Sequence, residues 1–327
     1  MGHLIPITHP AFETSLFRPG PLQGEAQVSK TRPGPPTPTQ SPEQLARLAW
    51  QALVAEAELT PKPGLVDRRG SGSHTDLSLD RMRRSARTIA PYFAKMAFAA
   101  AVAPMDKELR ATVAAIGREA EAAMLRTTAG SNAHKGAIWL LGLLVCAASE
   151  SADLQSENIA RNAGYLARLP DHARPQIVSH GELVRNRYGA TGARGEACAN
   201  FPHVIGVGLP ALTEARRTGR TERDSRLLAL LQIMSHLDDT CVLYRGGTEA
   251  QELVHRGSAQ VLAVGGPGTP EGNAALRDLD RELVRRQISP GGSADLLAAT
   301  LFLDALQHGQ NEVEKDNSLL EEANGAN

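Results

Sequence analysis

Between Ser41 and His308 the sequence is a succession of stretches whose apolar residues return every third or fourth position, separated by short segments rich in glycine, proline and charge. That spacing gathers apolar side chains on one face of an α-helix and would scatter them over both faces of a strand, so it argues for a helix-based core. Ser41, Pro42 and Gln44 open the first helix as a capping box with proline at its first position. Leu45, Leu48, Ala49, Ala52 and Leu53 carry its apolar face, and Thr60-Pro61-Lys62-Pro63-Gly64 closes it because two prolines forbid continuation. Further helices are predicted over residues 79–103, 107–126, 134–149, 156–169, 203–217, 222–236, 246–263, 271–286 and 293–308, with Pro91 a point for a kink. Hydrophobic residues make up 42% of the chain but aromatics only 4%; Ala and Leu dominate, and both lose little on entering a helix. There is no βαβ alternation and no fixed-period repeat. The expectation is an all-α fold, a single multi-helix bundle domain of about ten helices.

Residues 1–40 carry Pro6, Pro10, Pro19, Pro21, Pro33, Pro35, Pro36 and Pro38, too many for a packed core, and read as a disordered extension. The catalytic domain is expected over 41–310 and a polar C-terminal tail over 311–327. A net charge of −1 gives no reason to expect nucleic acid or an anionic membrane as partner. The three cysteines, Cys146, Cys198 and Cys241, lack CxxC spacing and suit a reducing compartment. No apolar run approaches the roughly 20 residues that span a bilayer, and the N-terminus lacks a signal-peptide pattern. A cytoplasmic location is expected, and the sequence leaves a homo-oligomer open.

Five segments at the helix boundaries combine glycine or proline with charge. Glu58-Leu-Thr-Pro-Lys62-Pro-Gly-Leu-Val-Asp67-Arg68 is a stiffened turn that presents four charged groups. Ser131-Asn132-Ala133-His134-Lys135-Gly136 leads into an apolar helix whose free amides favour phosphate. Tyr188-Gly-Ala-Thr-Gly-Ala-Arg194-Gly-Glu196 allows close backbone approach and offers a guanidinium fork. His236-Leu-Asp238-Asp239-Thr240-Cys-Val-Leu-Tyr244-Arg245-Gly-Gly carries adjacent carboxylates of the kind Mg²⁺ prefers. Ser289-Pro-Gly291-Gly292-Ser293-Ala-Asp295 stacks amides at a helix start into an anion nest. Each segment alone also reads as an ordinary turn or capped helix. Their recurrence in one helical chain points to a polyanionic ligand held with magnesium from several helix ends.

Together these motifs resemble the triphosphoribosyl-dephospho-CoA synthase family, whose members serve citrate lyase or malonate decarboxylase, over roughly residues 45 to 308. The matching runs are Thr60–Asp67, His134–Gly136, Tyr188–Glu196 and Ser289–Asp295. Ala133 stands where that pattern carries Thr, and Cys241 and Tyr244 where it carries Asn and His. The resemblance implies that ATP and 3′-dephospho-CoA give 2′-(5″-triphosphoribosyl)-3′-dephospho-CoA and adenine, with Mg²⁺ as cofactor. For such a glycosyl transfer, Glu196, His134 and Asp67 are the catalytic candidates. Glu58, Asp67, Asp239 and Asp295 are the candidate metal ligands. Lys62, Arg68, Lys135, Gly136, Arg194, Arg245, Ser289, Gly291, Gly292 and Ser293 are the candidate substrate contacts. The same inventory would also serve a Mg²⁺-dependent helical hydrolase of a ribosyl or nucleotide bond, or a helical nucleotide-binding protein without chemistry.

Overall fold

The structure, a computed structural model, describes residues 40–171 and 180–324, with side chains as far as His308 at the C-terminal end. The described residues form twelve α-helices and, beyond one isolated bridge between Asp67 and Gly70, no strand. In chain order these are α1 Pro42–Glu58, α2 Leu79–Ala101, α3 Lys107–Thr127, α4 Lys135–Glu150, α5 Ser156–Arg168, α6 His180–Tyr188 and α7 Gly192–Cys198. A π-turn over Val204–Gly208 then leads into α8 Leu209–Arg217, followed by α9 Glu222–His236, α10 Thr240–Ala263, α11 Pro270–Arg285 and α12 Gly291–Asn324. The all-α expectation holds. The segment expected to be disordered, up to residue 39, lies outside the described residues.

Local chemistry fixes several helix starts. The Ser41–Gln44 capping box is closed in both directions. Ser78, Asp106, Thr221 and Thr269 each accept an amide hydrogen bond at the start of α2, α3, α9 and α11. Some boundaries depart from the sequence pattern. The glycine-rich run after Tyr188, read as a loop, contains α7. The predicted helix 203–217 is a π-turn joined to α8. Helix α10 starts at Thr240 rather than near residue 246 and breaks its geometry at Gly247 (φ 64°). Pro91 lies inside α2 without ending it. The polar stretch after Asn311 is helical as far as Asn324.

Every residue of α4 from Leu140 to Ser149 is buried. A helix apolar on all sides belongs at the centre of the bundle, and α1, α2, α3, α5, α7 and α12 surround it. Helix α9 anchors the other half against α8, α10 and α12. One continuous core joins the two halves, from Ile89 and Phe93 through Leu141 and Leu144 to Leu230 and Phe302. Each such side chain contributes about 1.5–3 kcal/mol by leaving water. The N-termini of α4, α10 and α12 are thereby held in one place. No helix among the described residues is long and apolar enough to cross a membrane.

Candidate active site

The starts of α4 and α12 touch. A Cβ built on Gly136 would collide with the carboxylate of Asp295, so only glycine lets these two helix ends come so close. The start of α10 is tied to α12 through Asp239, which is 1% exposed. Its Oδ1 accepts the amides of Cys241 (2.9 Å) and Gly292 (3.2 Å). Its Oδ2 accepts the amide (2.8 Å) and hydroxyl (3.0 Å) of Ser293. Asp239 therefore caps two helices at once. Helix α7 joins the same junction, since a Cβ at Gly192 (φ 59°) would meet the side chain of Thr240 at 3.0 Å.

The turn after α1 closes the junction from the other side. Lys62, 1% exposed, donates to the carbonyl of Glu56 at 2.7 Å and forms a tight ion pair with the Glu56 carboxylate, itself buried. Asp67 is buried and fully engaged. It accepts the amides of Lys62 (2.9 Å) and Arg69 (2.7 Å) and both Nε (2.9 Å) and Nη2 (2.7 Å) of Arg69. Asp280 of α11 fastens the turn by accepting from the Gly64 amide at 2.9 Å and from Arg69 at 2.8 Å. On the outer surface Glu58 pairs with Arg68 and with Arg83 at 2.7 Å. The turn goes on to Ser73, which donates to the carbonyl of Ile288 at 2.7 Å, and to His74, whose Nε2 lies 2.9 Å from the hydroxyl of Ser289. Arg245 reaches the carbonyl of Gln287 (3.4 Å) and Nδ1 of His74 (3.5 Å).

Burial decides the electrostatics. Desolvation, then the negative charges of Glu56 and Asp239, push the Asp295 carboxyl well above the usual range, with only the Ala137 amide working against them. Burial also raises Asp239, although the amides and hydroxyl that bind it work the other way. His134 is 2% exposed, and burial followed by the nearby Lys62 charge lowers it to about 3, so its ring is neutral. Its Nδ1 is 2.7 Å from the hydroxyl of Ser85, and its Nε2 is buried without a partner. Burial and then Arg245 likewise lower His74.

The candidate residues sort into distinct settings. Lys62, His134, Gly136, Asp239, Gly292, Ser293 and Asp295 stand around one junction, with Gly291, Ser289 and Arg245 on its flank. Lys135 is half exposed and pairs with Glu121 at 2.5 Å. Arg194 is exposed on α7. Glu196 is engaged by His203, accepting from its amide at 2.8 Å and lying 2.7 Å from its Nδ1. That hydrogen bond raises the His203 imidazole above its ordinary range. Glu58 and Asp67 have their oxygens turned to arginines, and among the described residues no three His, Cys, Asp or Glu side chains are grouped to hold a metal. Glu56, Ser85, His74 and His203 were not among the sequence candidates. Glu56 could have been found as the acidic residue on the apolar face of α1, one turn beyond Leu53; the others lie in runs without a distinguishing pattern.

The model of the family described as "ATP:dephospho-CoA triphosphoribosyl transferase" matches residues 42–314. The chain belongs to that family. It is 52% identical over 268 residues to an Azotobacter vinelandii protein named "Probable 2-(5''-triphosphoribosyl)-3'-dephosphocoenzyme-A synthase", covering 81% of this chain and 92% of that one. A Pseudomonas putida protein of the same name is 49% identical, with 84% and 98% covered. A solved structure of a triphosphoribosyl-dephospho-CoA synthase candidate from Archaeoglobus fulgidus aligns with a TM-score of 0.46 at 18% identity over 67% of this chain and 95% of that one. That likeness is too low to carry over to particular residues.

Proposed function

We propose that this transferase joins the triphosphoribosyl group of ATP to the ribose 2′-hydroxyl of 3′-dephospho-CoA and releases adenine. The observation that carries the reading is the junction itself, where the amide-bearing ends of α4, α10 and α12 surround a carboxyl with a raised proton affinity. Helix N-termini favour phosphate, and a carboxyl whose proton affinity is raised by burial suits a reaction that moves a proton. In the transfer the 2′-oxygen bonds to the anomeric carbon of ATP as the bond to adenine breaks. The hydroxyl proton leaves and adenine departs protonated, so the books balance without a further reactant.

Asp295 is the group proposed to take the hydroxyl proton and to face the positive charge that develops on the sugar. His134, neutral and with Nε2 unpartnered, offers a hydrogen bond rather than a strong base. Asp67 shapes the turn that carries Lys62. Lys62, Lys135, Arg194 and Arg245, with the amides of Gly136, Gly292 and Ser293, are the proposed phosphate contacts. Glu196 is proposed to act through His203.

Asp295 is assigned the proton, so it is not also assigned the metal. Asp67 and Glu58 are committed to arginines, and Asp239 to four donors. The magnesium is therefore proposed to arrive on the triphosphate, where it keeps most of its waters and needs few protein ligands. Bound there, it would neutralise phosphate charge.

The product would serve as prosthetic-group precursor for the acyl carrier subunit of malonate decarboxylase, or of citrate lyase, as the family resemblance implies. Three free cysteines fit a reducing cytoplasm. Chromatography of ATP and Mg²⁺ with the purified protein, with and without dephospho-CoA, tests the reading. Adenine released only with dephospho-CoA, beside a heavier CoA derivative that keeps three phosphates, is the expected result. Adenine released without dephospho-CoA would mean a hydrolase, and none in either tube would overturn the assignment.

A further inference from the structure

Arg110 of α3 is 5% exposed, yet its Nε and Nη1 have no hydrogen-bond partner. Its guanidinium lies over the ring of Trp139 on α4, 4.9 Å from the centroid, and the Trp139 Nε1 is also buried and unpartnered. Three N–H donors thus stand together with no acceptor. Guanidinium and indole N–H groups can only donate, and a buried donor left unmatched is costly, more so when charged. Arg118 and Arg194 are within electrostatic reach of Arg110, as is Asp171, which pairs with Arg118 at 2.9 Å. The missing partner is therefore an acceptor, and the surrounding charge favours an anion.

The place shares helices α4 and α7 with the junction. Trp139 follows Lys135 by one turn of α4, about 6 Å along the axis. Arg194 sits two residues after Gly192, which packs against the first residue of α10. Arginine grips phosphate through paired N–H bonds. Resting on the transfer reading, we propose that Arg110, Arg118 and Arg194, with Trp139 Nε1, form a second oligophosphate site that holds the phosphate chain of one of the two substrates while the other chain lies at the helix N-termini. A reaction between two polyphosphorylated molecules needs two such cradles, far enough apart for one sugar carbon and one sugar hydroxyl to meet between them.

Calorimetric titration of the full chain with inorganic pyrophosphate and tripolyphosphate tests the site without any turnover. Arg110→Met and Arg118→Gln should each weaken binding at least tenfold. Arg110→Met should melt no lower than the wild type, because it removes a buried unmatched charge, and Arg118→Gln covers the case in which it does not fold. In the transfer assay one KM should rise at least tenfold with kcat within about threefold. A rise for dephospho-CoA assigns the site to its diphosphate, and a rise for ATP assigns it to the triphosphate. Unchanged anion binding and unchanged KM values in folded variants would overturn the proposal. Anion binding that depends on Arg110 in a protein that releases no adenine would overturn the transfer reading and leave the site standing.

Discussion

The carboxylate of Asp295 rests against the Cα of Gly136, with the Ala137 amide directed at it, so one acidic group sits between the starts of α4 and α12. Backbone amides at a helix start and a partly buried carboxyl share the same small space. The position of that carboxyl is set by the absence of a side chain opposite it.

Gly136→Ala should therefore displace Asp295. Alanine would otherwise favour a helix by about 1 kcal/mol over glycine, so a neutral site would gain stability. The expected outcome is the reverse: a loss of about 1–3 kcal/mol from overpacking and a fall in kcat of about 100-fold from a misplaced group. Thermal melts and adenine release measure the two. A variant more stable than wild type with full turnover would remove the contact from the mechanism.

Asp295→Asn separates chemistry from stability. A carboxyl whose folded pKa is raised binds more protons folded than unfolded, so it weakens the fold as pH rises from the ordinary aspartate value of about 3.9. The asparagine variant should melt higher than wild type at pH 7–8, with the gap closing towards pH 4, and should turn over at least 100-fold more slowly. Equal melting at both pH values would contradict the burial of its charge.

The Glu196–His203 pair carries the opposite sign. The folded pKa of His203 is raised, so the stability it contributes is complete below about 6.5, the ordinary histidine value, and is lost as pH rises through the folded value. Glu196→Gln should cost about 1 kcal/mol at pH 6 and less at pH 9. Proton NMR of the His203 ring should show its titration moving down in the variant. An unmoved titration would mean the pair does not form.

Chelation distinguishes a resident metal from one that arrives with substrate. Excess chelator should abolish adenine release while leaving the melting temperature of the protein alone unchanged. A lower melting temperature would mean a protein-held ion that contributes to the fold.

The helical architecture was legible because binary spacing and Ala–Leu composition point the same way, and the capping box at Ser41 was readable to the residue. Helix α7 was not, since two glycines in seven residues argue against a helix that packing nonetheless imposes. At the site, Gly136, Asp239, Ser293 and Asp295 were named from motif chemistry and lie together. Asp67 and Glu58 were named from the same chemistry, but Arg69, Arg68 and Arg83 take their oxygens, and partners of that kind are set by three-dimensional proximity. Glu56 was legible as an acid on the apolar face of α1 but was passed over, whereas a histidine beside a π-turn, as His203 is, carries no spacing signal.

Asp239 holds the amides of Cys241, Gly292 and Ser293 on one carboxylate. The two helices it caps therefore cannot fray independently: releasing one end uncaps the other. The two helix ends open in a single concerted step or stay shut, and those three amides should trade their protons with solvent at a common rate.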